Sequence, residues 1–239
     1  MSDVGSDARA GVMLTATLAR NNIESRLSQQ EVADPQDRSE TTTDRRTHAF
    51  MDTDADPEVQ RRALRSRLLS ARAELTPADR TRRQQALAAR VAAWLAASPL
   101  QRLAFYWPIR HEPDLRETVA AWLAADARRR AALPVTEDDV LTFAPWTPQM
   151  SMAPGRFDIP EPATTERIAP QLLLIPCVGF DAARFRLGYG GGFYDRTLAR
   201  LRYRPVTCGV AFGVAQVDSI GPRPHDVRLD AVLTDAGTL

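Results

Sequence analysis

Apolar residues recur at a helical spacing from residue 57 onward. Leu64, Leu68 and Leu75 fall on one helix face, because apolar positions three, four or seven apart share that face. Pro77 marks the first turn of a second helix, where the fixed backbone of proline is favoured. This second helix is expected to end near Ala97. The folded part of the chain is therefore predicted to begin with two consecutive helices.

Beyond residue 97, short apolar runs alternate with amphipathic stretches. The expected strands are residues 103–107, 131–135, 140–143, 171–178, 206–212 and 229–234, and the expected helices are residues 115–127 and 193–202. Apolar strands that alternate with helices are typical of a mostly parallel sheet covered on both faces. The pattern thus predicts an α/β protein. The Pro-rich connection between Pro145 and Pro170 is long for a simple linker, which suggests a function of its own.

The first 56 residues differ in composition from the rest. They are rich in Ser, Thr, Asp, Asn, Gln and Arg, so we expect a mostly disordered extension (1–56) followed by one folded domain (57–239). The extension holds 11 acidic residues and 6 arginines, net charge −5, and the domain holds 19 acidic residues and 25 arginines, net charge +6. A mildly basic domain attracts polyanions, but an imbalance of this size is also compatible with ordinary dispersion of charge.

The chain contains no lysine, since all 31 of its Lys and Arg residues are arginine. This excludes a Walker-type phosphate loop, a Schiff-base lysine and pyridoxal chemistry, each of which needs an amine. Cys177 and Cys208 lie in apolar runs without metal-ligand spacing, so buried structural thiols are expected. The sequence has neither an apolar run of membrane-spanning length nor a secretory signal pattern. A cytoplasmic protein without a membrane partner is therefore expected.

The segment RLGYGGGFYD, residues 186–195, lies between an expected strand and an expected helix. Its four glycines let the backbone turn tightly and direct several N–H groups at one anion, and the helix start adds partial positive charge. A phosphate suits this geometry, with Arg186 as a forked cation and Asp195 as a magnesium ligand. A dinucleotide-binding GxGxxG motif starting at Gly188 is disfavoured, because Phe193 occupies the third glycine position. A glycine-rich turn without a ligand remains the alternative.

The same segment resembles the RxGxGxGYYD signature with which the 5-formyltetrahydrofolate cyclo-ligase family holds ATP. Other stretches resemble that family in the same order along the chain, namely RRALRSRLLSAR, YWPIRHEPDL, FDIPEP, LLLIPCVGFD and HDVRLDAVLTD. The resemblance covers residues 57 to 235, and so many ordered motifs make coincidence a poor explanation. It implies a three-layer α/β/α fold with a mostly parallel sheet, related to the sugar-phosphate isomerases and CoA transferases.

The resemblance also implies an ATP site. Arg61 and Arg65 are four positions apart on the first helix and so share a face. They are expected to bind phosphates, although the family usually has lysine at the first position. Arg186 and Tyr194 are the expected catalytic residues. The implied ATP site further comprises Arg186, Leu187, Gly188, Tyr189, Gly190, Gly191, Gly192, Phe193 and Tyr194.

The folate site and the metal site are implied in the same way. The implied folate site comprises Trp107, Glu112, Tyr189, Gly190, Gly191, Gly192 and Phe193. In it, the carboxylate of Glu112 suits the paired N–H donors of a pterin ring. Asp195 and Asp226 are implied as magnesium ligands, and two carboxylates from separate segments suit such a hard cation. Without the family, a solvated loop acid is the better explanation of Glu112, and a helix cap or turn acid is the better explanation of Asp226.

The implied reaction is the ATP- and magnesium-dependent cyclisation of 5-formyltetrahydrofolate to 5,10-methenyltetrahydrofolate, with release of ADP and phosphate. It needs no protein nucleophile, and the sequence shows no GxSxG motif or Cys/His pair at a recognisable spacing. The expected partners are small molecules rather than nucleic acid, namely ATP and 5-formyltetrahydrofolate, and a monomer is expected. Two rival functions stay open. One is a non-catalytic nucleotide- or folate-binding regulator of the same fold, and the other is RNA binding through the arginine-rich first helix.

Overall fold

The computed structural model describes residues 56–239, so the expected N-terminal extension lies, apart from Asp56, outside the described residues. The α-helices of this part are α1 (Pro57–Ala73), α2 (Pro77–Ala97), α3 (Arg116–Ala124) and α4 (Phe193–Arg200). The first two begin as expected, each with Pro in its first turn. Asp56 accepts a hydrogen bond from Glu58 N at 2.8 Å, and Thr76 accepts one from Asp79 N at 3.1 Å. Such side-chain caps determine where a helix begins.

The strands of residues 56–239 form one large sheet and two small ones. They are β1 (Arg102–Ala104), β2 (Arg130–Glu137), β3 (Val140–Trp146), β4 (Met152–Pro154), β5 (Pro160–Pro162), β6 (Leu172–Pro176), β7 (Gly179–Asp181), β8 (Arg186–Leu187), β9 (Val206–Val210), β10 (Gln216–Val217) and β11 (Ala231–Leu233). The main sheet has the order β11-β9-β6-β1-β2-β3, and every neighbouring pair is parallel except β2 and β3. The predicted mostly parallel sheet is thus confirmed. β10, β7 and β8 form a small sheet, and β4 and β5 form a hairpin.

Successive residues of the central strands enter opposite faces of the main sheet. In β6, Leu172 and Leu174 belong to one buried apolar cluster, whereas Leu173 and Ile175 belong to another. The first cluster takes its helical side chains from α2 and α3, and side chains of α4 pack on the second. Helices therefore cover both faces of the sheet, which is a three-layer α/β/α arrangement.

The buried face of α1 is partly polar. Leu68 packs with Val178 and Leu187 beside the small sheet. Arg61 and Arg72, on the same face of the helix, are only 8% and 3% exposed. Because arginine is seldom buried without partners, this face of α1 is expected to form part of a polar site.

Several boundaries differ from the sequence-based expectation. β1 ends at Ala104 rather than at Trp107. Phe105 N still makes one more bond to the Ala132 carbonyl. The chain then leads into Pro108, which has no N–H for the ladder. β3 is longer than expected, and the Pro-rich connection after it folds into the β4–β5 hairpin. α3 and α4 are shorter than expected. The short strands β7, β8 and β10 span two or three residues each, which is too few for a period of two to show in the sequence.

Both cysteines are buried free thiols, as predicted. Burial raises the pKa of the Cys177 thiol to about 12, so this thiol stays protonated and unreactive near neutral pH. Within residues 56–239, no helix combines the length and the apolar character needed to span a membrane.

Candidate active site

A cavity of about 560 Å³ opens at the carboxyl ends of β1, β2 and β6. In open α/β sheets, ligands bind in the crevice outside these strand ends. The volume lies in the range of small-molecule sites, roughly 300–1,000 Å³. The walls of the cavity are the turn after β1, the end of β2, the β4–β5 hairpin and the glycine segment, which is residues 186–195.

The glycine segment turns sharply before α4. Gly190 has φ +102° and Gly192 has φ +66°, conformations that residues with a Cβ rarely adopt. Gly192 is the N-cap residue of α4, and no side chain caps this helix. The first N–H groups of a helix have no partner inside it. The start of α4 therefore offers donors and partial positive charge to an anion.

Arg186 ties the glycine segment to the chain before β11. Its guanidinium donates to Asp195 Oδ1 at 2.8 Å and to the Val227 carbonyl at 3.1 Å, and Val227 N donates to the same Asp195 oxygen at 3.1 Å. The Arg186 side chain is 4% exposed, and its guanidinium carbon lies 5.9 Å from the centre of the Tyr194 ring. A fork-shaped cation is thus held in place beside the cavity, where it is suited to a phosphate group.

Glu112 is a buried acid in the turn after β1. Its Oε2 accepts a hydrogen bond from Ile109 N at 3.0 Å, and its Oε1 accepts one from the Tyr189 hydroxyl at 2.7 Å. Burial raises the pKa of Glu112, whereas these two hydrogen bonds and the nearby charges of Arg72 and Arg110 act in the opposite direction. A buried carboxylate that keeps further lone pairs suits a ligand with N–H donors.

Tyr194 lies in the first turn of α4 and lines the cavity. Burial and the negative charge of Glu112 raise the pKa of Tyr194. Its hydroxyl is therefore protonated at neutral pH and is available as a hydrogen-bond donor, not as a base. The expected catalytic role of Tyr194 stays a prediction. Because its hydroxyl is protonated, that role would be to donate a hydrogen bond or to position a substrate.

Most of the expected site residues meet at this cavity, although they come from two distant stretches of the chain. Those that line it are Trp107, Glu112, Arg186, Gly188, Tyr189, Gly191, Gly192, Phe193, Tyr194 and Asp195. Those that do not line it are Arg61, Arg65, Leu187, Gly190 and Asp226.

Arg61 and Arg65 extend from α1 to other parts of the chain. Arg65 contacts the glycine segment, and Arg61 contacts the residues before β11. Arg65 Nε donates to the Gly188 carbonyl at 3.0 Å. Arg61 Nη1 donates to the Gly221 carbonyl at 2.8 Å and to Asp226 Oδ2 at 2.8 Å, and this ion pair is nearly buried. Arg61 Nη2 approaches the second Asp226 oxygen at 3.4 Å. A two-pronged grip of this kind needs a guanidinium, which gives arginine a structural role at a position where the family usually has lysine.

The two acids expected to bind magnesium differ in availability. Both hydrogen bonds to Asp195 end on Oδ1, and its side chain is 22% exposed at the cavity. Asp226 turns both oxygens to Arg61 and also accepts from Arg223 N at 2.8 Å. Within residues 56–239, no group of three or more His, Cys, Asp or Glu side chains could hold a metal ion by itself.

The chemistry of Mg²⁺ decides which of the two acids fits. The ion usually keeps several waters and is bound by one or two carboxylates together with substrate phosphates. Asp195 fits such a site as it stands. Asp226 fits it only if Arg61 releases the carboxylate, so its expected role as a ligand stays a prediction.

The β4–β5 hairpin, which contains the stretch FDIPEP, supplies a wall of the cavity for which no site residue was predicted. Arg156 and Phe157 line the cavity, and the Arg156 guanidinium lies 5.0 Å from the Phe157 ring and 5.5 Å from the Phe193 ring. Phe157 has φ +62° and is 65% exposed, which is unusual for a large apolar residue. The length of the Pro-rich connection and the stretch FDIPEP are the sequence signals for this wall, but neither predicted a role for Arg156 or Phe157.

Gly192→Ala is expected to lower the free energy of unfolding by about 1–2 kcal/mol, the strain of a left-handed residue with a Cβ. The added Cβ would also lie 2.6 Å from Arg196 Nη1, so this side chain would have to shift. Urea-induced unfolding measures the loss. Gly188→Ala is the control for stability, because its Cβ would meet no atom within 4 Å. Equal stability of the two variants would contradict the strained turn.

Comparison with known proteins points to one family. The model of the 5-formyltetrahydrofolate cyclo-ligase family matches residues 57–235. The 5-formyltetrahydrofolate cyclo-ligase of Mycoplasma pneumoniae is 27% identical over 178 residues, which cover 74% of this chain and 99% of that protein.

Two solved structures are also similar. A 5,10-methenyltetrahydrofolate synthetase from Mycoplasma pneumoniae has a TM-score of 0.61 and 26% identity, covering 73% of this chain and 98% of the other. The 5,10-methenyltetrahydrofolate synthetase of Aquifex aeolicus has a TM-score of 0.65 and 26% identity, covering 74% and 91% of the two chains.

Proposed function

The chain belongs to the 5-formyltetrahydrofolate cyclo-ligase family, and we propose on this basis that it cyclises 5-formyltetrahydrofolate to 5,10-methenyltetrahydrofolate while ATP is converted to ADP and phosphate. The observation that carries the proposal is the 2.7 Å hydrogen bond between Tyr189 of the glycine segment and Glu112 of the turn after β1. It joins a segment suited to phosphate with a carboxylate suited to the N–H groups of a pterin. The two substrates are thereby brought to one cavity.

We assign phosphate binding to Arg186, the glycine segment and the start of α4. Phosphoryl transfer depends on positioning and on stabilisation of charge rather than on a protein nucleophile. Asp195 and the Val227 carbonyl already orient the Arg186 guanidinium, so little reorganisation accompanies the movement of charge toward ADP. Arg65, bound to the Gly188 carbonyl, supports the segment from α1.

We assign folate binding to the turn after β1, with Glu112 as acceptor for the pterin. Trp107 and Phe193 line the cavity and offer flat apolar surfaces to the rings of the substrate. The formyl oxygen then attacks the γ-phosphorus and ADP leaves. N10 closes the ring on the activated carbon and loses its proton to solvent, and the phosphate departs with the formyl oxygen. We assign to the protonated Tyr194 hydroxyl, which lines the cavity, a hydrogen bond to an oxygen of this phosphate.

Magnesium is the expected partner of ATP at this site. When bound, the ion neutralises negative charge on the phosphates and helps to orient them. We assign its binding to Asp195, which lies in the first turn of α4 and accepts a hydrogen bond from Arg186.

The test is the ATP-dependent appearance of the methenyl product, followed by its near-ultraviolet absorbance after the protein is mixed with 5-formyltetrahydrofolate, ATP and magnesium. A rise that requires ATP supports the enzyme. A protein that binds ATP or folate without any rise would instead be the non-catalytic regulator of the same fold. Salt-sensitive retention of RNA, with no rise, would favour the RNA-binding alternative.

Asp195→Asn is expected to raise the magnesium concentration for half-maximal activity roughly tenfold or more. The amide keeps the shape of the side chain and an oxygen for Val227 N, but it loses the charge that a hard cation requires. Titration of the activity with magnesium at saturating ATP measures the effect. The exposed Asp218 supplies the control, Asp218→Asn. An unchanged magnesium requirement would remove Asp195 from the proposed metal site.

The remaining expectations concern the surroundings of the enzyme. We infer a cytoplasmic location, since two buried thiols without a disulfide suit a reducing compartment. Small-molecule substrates account for the cavity without a nucleic-acid or membrane partner. A monomer is expected, and sedimentation of the purified protein would test this.

A further inference from the structure

Arg72 is a buried cation at the end of the stretch RRALRSRLLSAR, residues 61–72, and the sequence predicted no role for it. It lies in the last turn of α1 and is 3% exposed. Among the residues that the structure describes, no carboxylate lies within ion-pair distance of its guanidinium. Burying an unpaired charge is unfavourable unless hydrogen bonds compensate for it. Its hydrogen-bond partners therefore indicate what it does.

Two of the cavity walls meet at this guanidinium. Arg72 Nη2 donates to the Tyr189 hydroxyl of the glycine segment at 2.7 Å, and Arg72 Nε donates to the Arg110 carbonyl of the turn after β1 at 3.1 Å. Arg110 and His111 have φ +46° and +62°, so this turn holds two consecutive residues in the left-handed region. Such a conformation persists only when its surroundings hold it, and the bond from Arg72 is one such restraint.

The Arg72 guanidinium, the Tyr189 hydroxyl and the Glu112 carboxylate form a row of hydrogen bonds, and their chemistry determines which group donates in each bond. A guanidinium has donors and no acceptor, so the Tyr189 oxygen can only accept from Arg72. The single hydroxyl proton of Tyr189 is then directed to Glu112 Oε1, 2.7 Å away. Ile109 N donates to the other oxygen, Oε2. Glu112 is thus surrounded by donors and is held as an acceptor.

We propose that Arg72 is a positioning residue which, through the Tyr189 hydroxyl, keeps Glu112 ionised and correctly oriented to accept hydrogen bonds from the folate substrate. This inference rests on the proposed function. Without Arg72, the Tyr189 oxygen is free to accept a hydrogen bond, which favours a protonated Glu112 with fewer acceptor sites for the N–H groups of the pterin. Arg72 would then set the preference of the site for a ligand with N–H donors.

The charges around Glu112 support the proposal. The groups that face it from the surrounding elements are Arg72 of α1, Tyr106 after β1, Arg110 of the turn, Cys177 after β6, Tyr189 of the glycine segment and Tyr194 of α4. Of these, only the two arginines are charged near neutral pH. Burial raises the pKa of Glu112, and Arg72 lowers it. Removing Arg72 should therefore raise the pKa of Glu112 further.

The test compares Arg72→Gln with the wild type across a range of pH. We expect the KM for 5-formyltetrahydrofolate to rise roughly tenfold, as for the loss of a hydrogen bond that involves a charged group. The rise of this KM on acidification, which is the acid limb of the pH profile, should begin at a higher pH than in the wild type. The KM for ATP should change less than twofold. Arg72→Lys keeps the charge, so it should restore the position of the acid limb without restoring the full affinity.

Tyr189→Phe provides a second route that leaves Arg72 in place. It removes the hydroxyl that joins Arg72 to Glu112, so it should reproduce the shift of the acid limb. The double variant should add little to either single change, because each of the three variants interrupts the same row of hydrogen bonds from Arg72 through Tyr189 to Glu112. Arg67→Gln is the control, since Arg67 is exposed on the same helix. If Arg72→Gln does not fold, Tyr189→Phe decides the question alone.

Three results would overturn the assignment of Arg72. The first is a folate KM and acid limb like those of the wild type in both variants. The second is an equal rise of the KM values for folate and ATP, which indicates a merely structural role. The third concerns a wild type that forms no product. In that case, binding of 5-formyltetrahydrofolate to the wild type and the variants is measured by quenching of tryptophan fluorescence. No turnover then rejects the proposed function, and unchanged binding by the variants, or no binding at all, rejects the role of Arg72.

Discussion

Arg186→Ala is expected to lower kcat for formation of the methenyl product roughly 10²- to 10³-fold, the usual effect of removing a preoriented donor from developing charge. Arg186 is 4% exposed and already fixed by Asp195 and the Val227 carbonyl. Its removal takes away both the positive charge and the forked donor beside the glycine segment. The near-ultraviolet assay at saturating ATP and folate measures the loss.

Two further variants separate charge from geometry at this position. Arg186→Lys keeps the charge but cannot bond Asp195 and Val227 in the same planar way, so an intermediate kcat is expected. Arg202→Ala removes an exposed arginine outside the cavity and controls for net charge. Thermal unfolding of each variant shows whether the fold is kept. A folded Arg186→Ala protein with the kcat of the wild type would exclude Arg186 from the chemistry.

Glu112→Gln is expected to raise the KM for 5-formyltetrahydrofolate roughly 10- to 100-fold, since hydrogen bonds to a charged group contribute about 1.5–3 kcal/mol. The amide has one acceptor oxygen where the carboxylate has two, and Tyr189 and Ile109 already supply two donors. The KM for ATP should change little. Glu117→Gln, at an exposed position of α3, is the matched control. Equal effects on both KM values would argue against a folate-specific role.

Glu112→Gln is also expected to change how the free energy of unfolding and the folate KM depend on pH. Burial raises the pKa of Glu112 above its ordinary value, so the folded chain binds a proton at this group more readily than the unfolded chain. The carboxyl group therefore favours the folded state at low pH, and this contribution is lost as the pH rises through the folded pKa. Relative to the wild type, Glu112→Gln should gain stability as the pH rises, which urea unfolding at two pH values can measure. In activity, the wild-type folate KM should rise on acidification, and Glu112→Gln should lack this limb.

The buried Arg61–Asp226 pair shows how packing changes the meaning of a motif. Both positions lie in the family motifs, although Arg61 stands where the family usually has lysine, and from sequence both point to ATP and its metal. In the structure they bind each other with side chains 9% and 6% exposed. Breaking such a pair leaves an uncompensated buried charge. Substitution of either residue therefore affects stability as well as any ligand, and loss of activity alone would not identify a metal ligand here.

Local features of the sequence determined much of the fold. Pro57 and Pro77 mark the first turns of α1 and α2, and apolar runs without polar alternation indicate strands covered on both faces. These features act over a few residues, so their outcome can be foreseen without knowing the rest of the chain. The short strands and the exact strand ends could not be foreseen, because they depend on which partner the backbone meets.

The candidate site divides in the same way. The glycine segment could be recognised from sequence, since φ +102° at Gly190 and φ +66° at Gly192 are conformations that call for glycine. Glu112 could be placed only with the help of the family motif. Arg72 lies seven residues after Arg65 and so on the same helix face, a spacing that suggests a shared side but no partner.

Only the tertiary structure decided what these side chains bind. Arg72 and Tyr189 are 117 positions apart, Tyr189 and Glu112 are 77 apart, and Arg61 and Asp226 are 165 apart. The periodicity of a sequence determines which residues share a face of one element, but not which distant element that face will meet. Side-chain hydrogen bonds depend on distances of about 3 Å, and those distances exist only after α1, the turn after β1 and the glycine segment have packed together. The sequence therefore determined the elements and the glycine segment, whereas packing decided which charges stay free for ligands and which are held by one another.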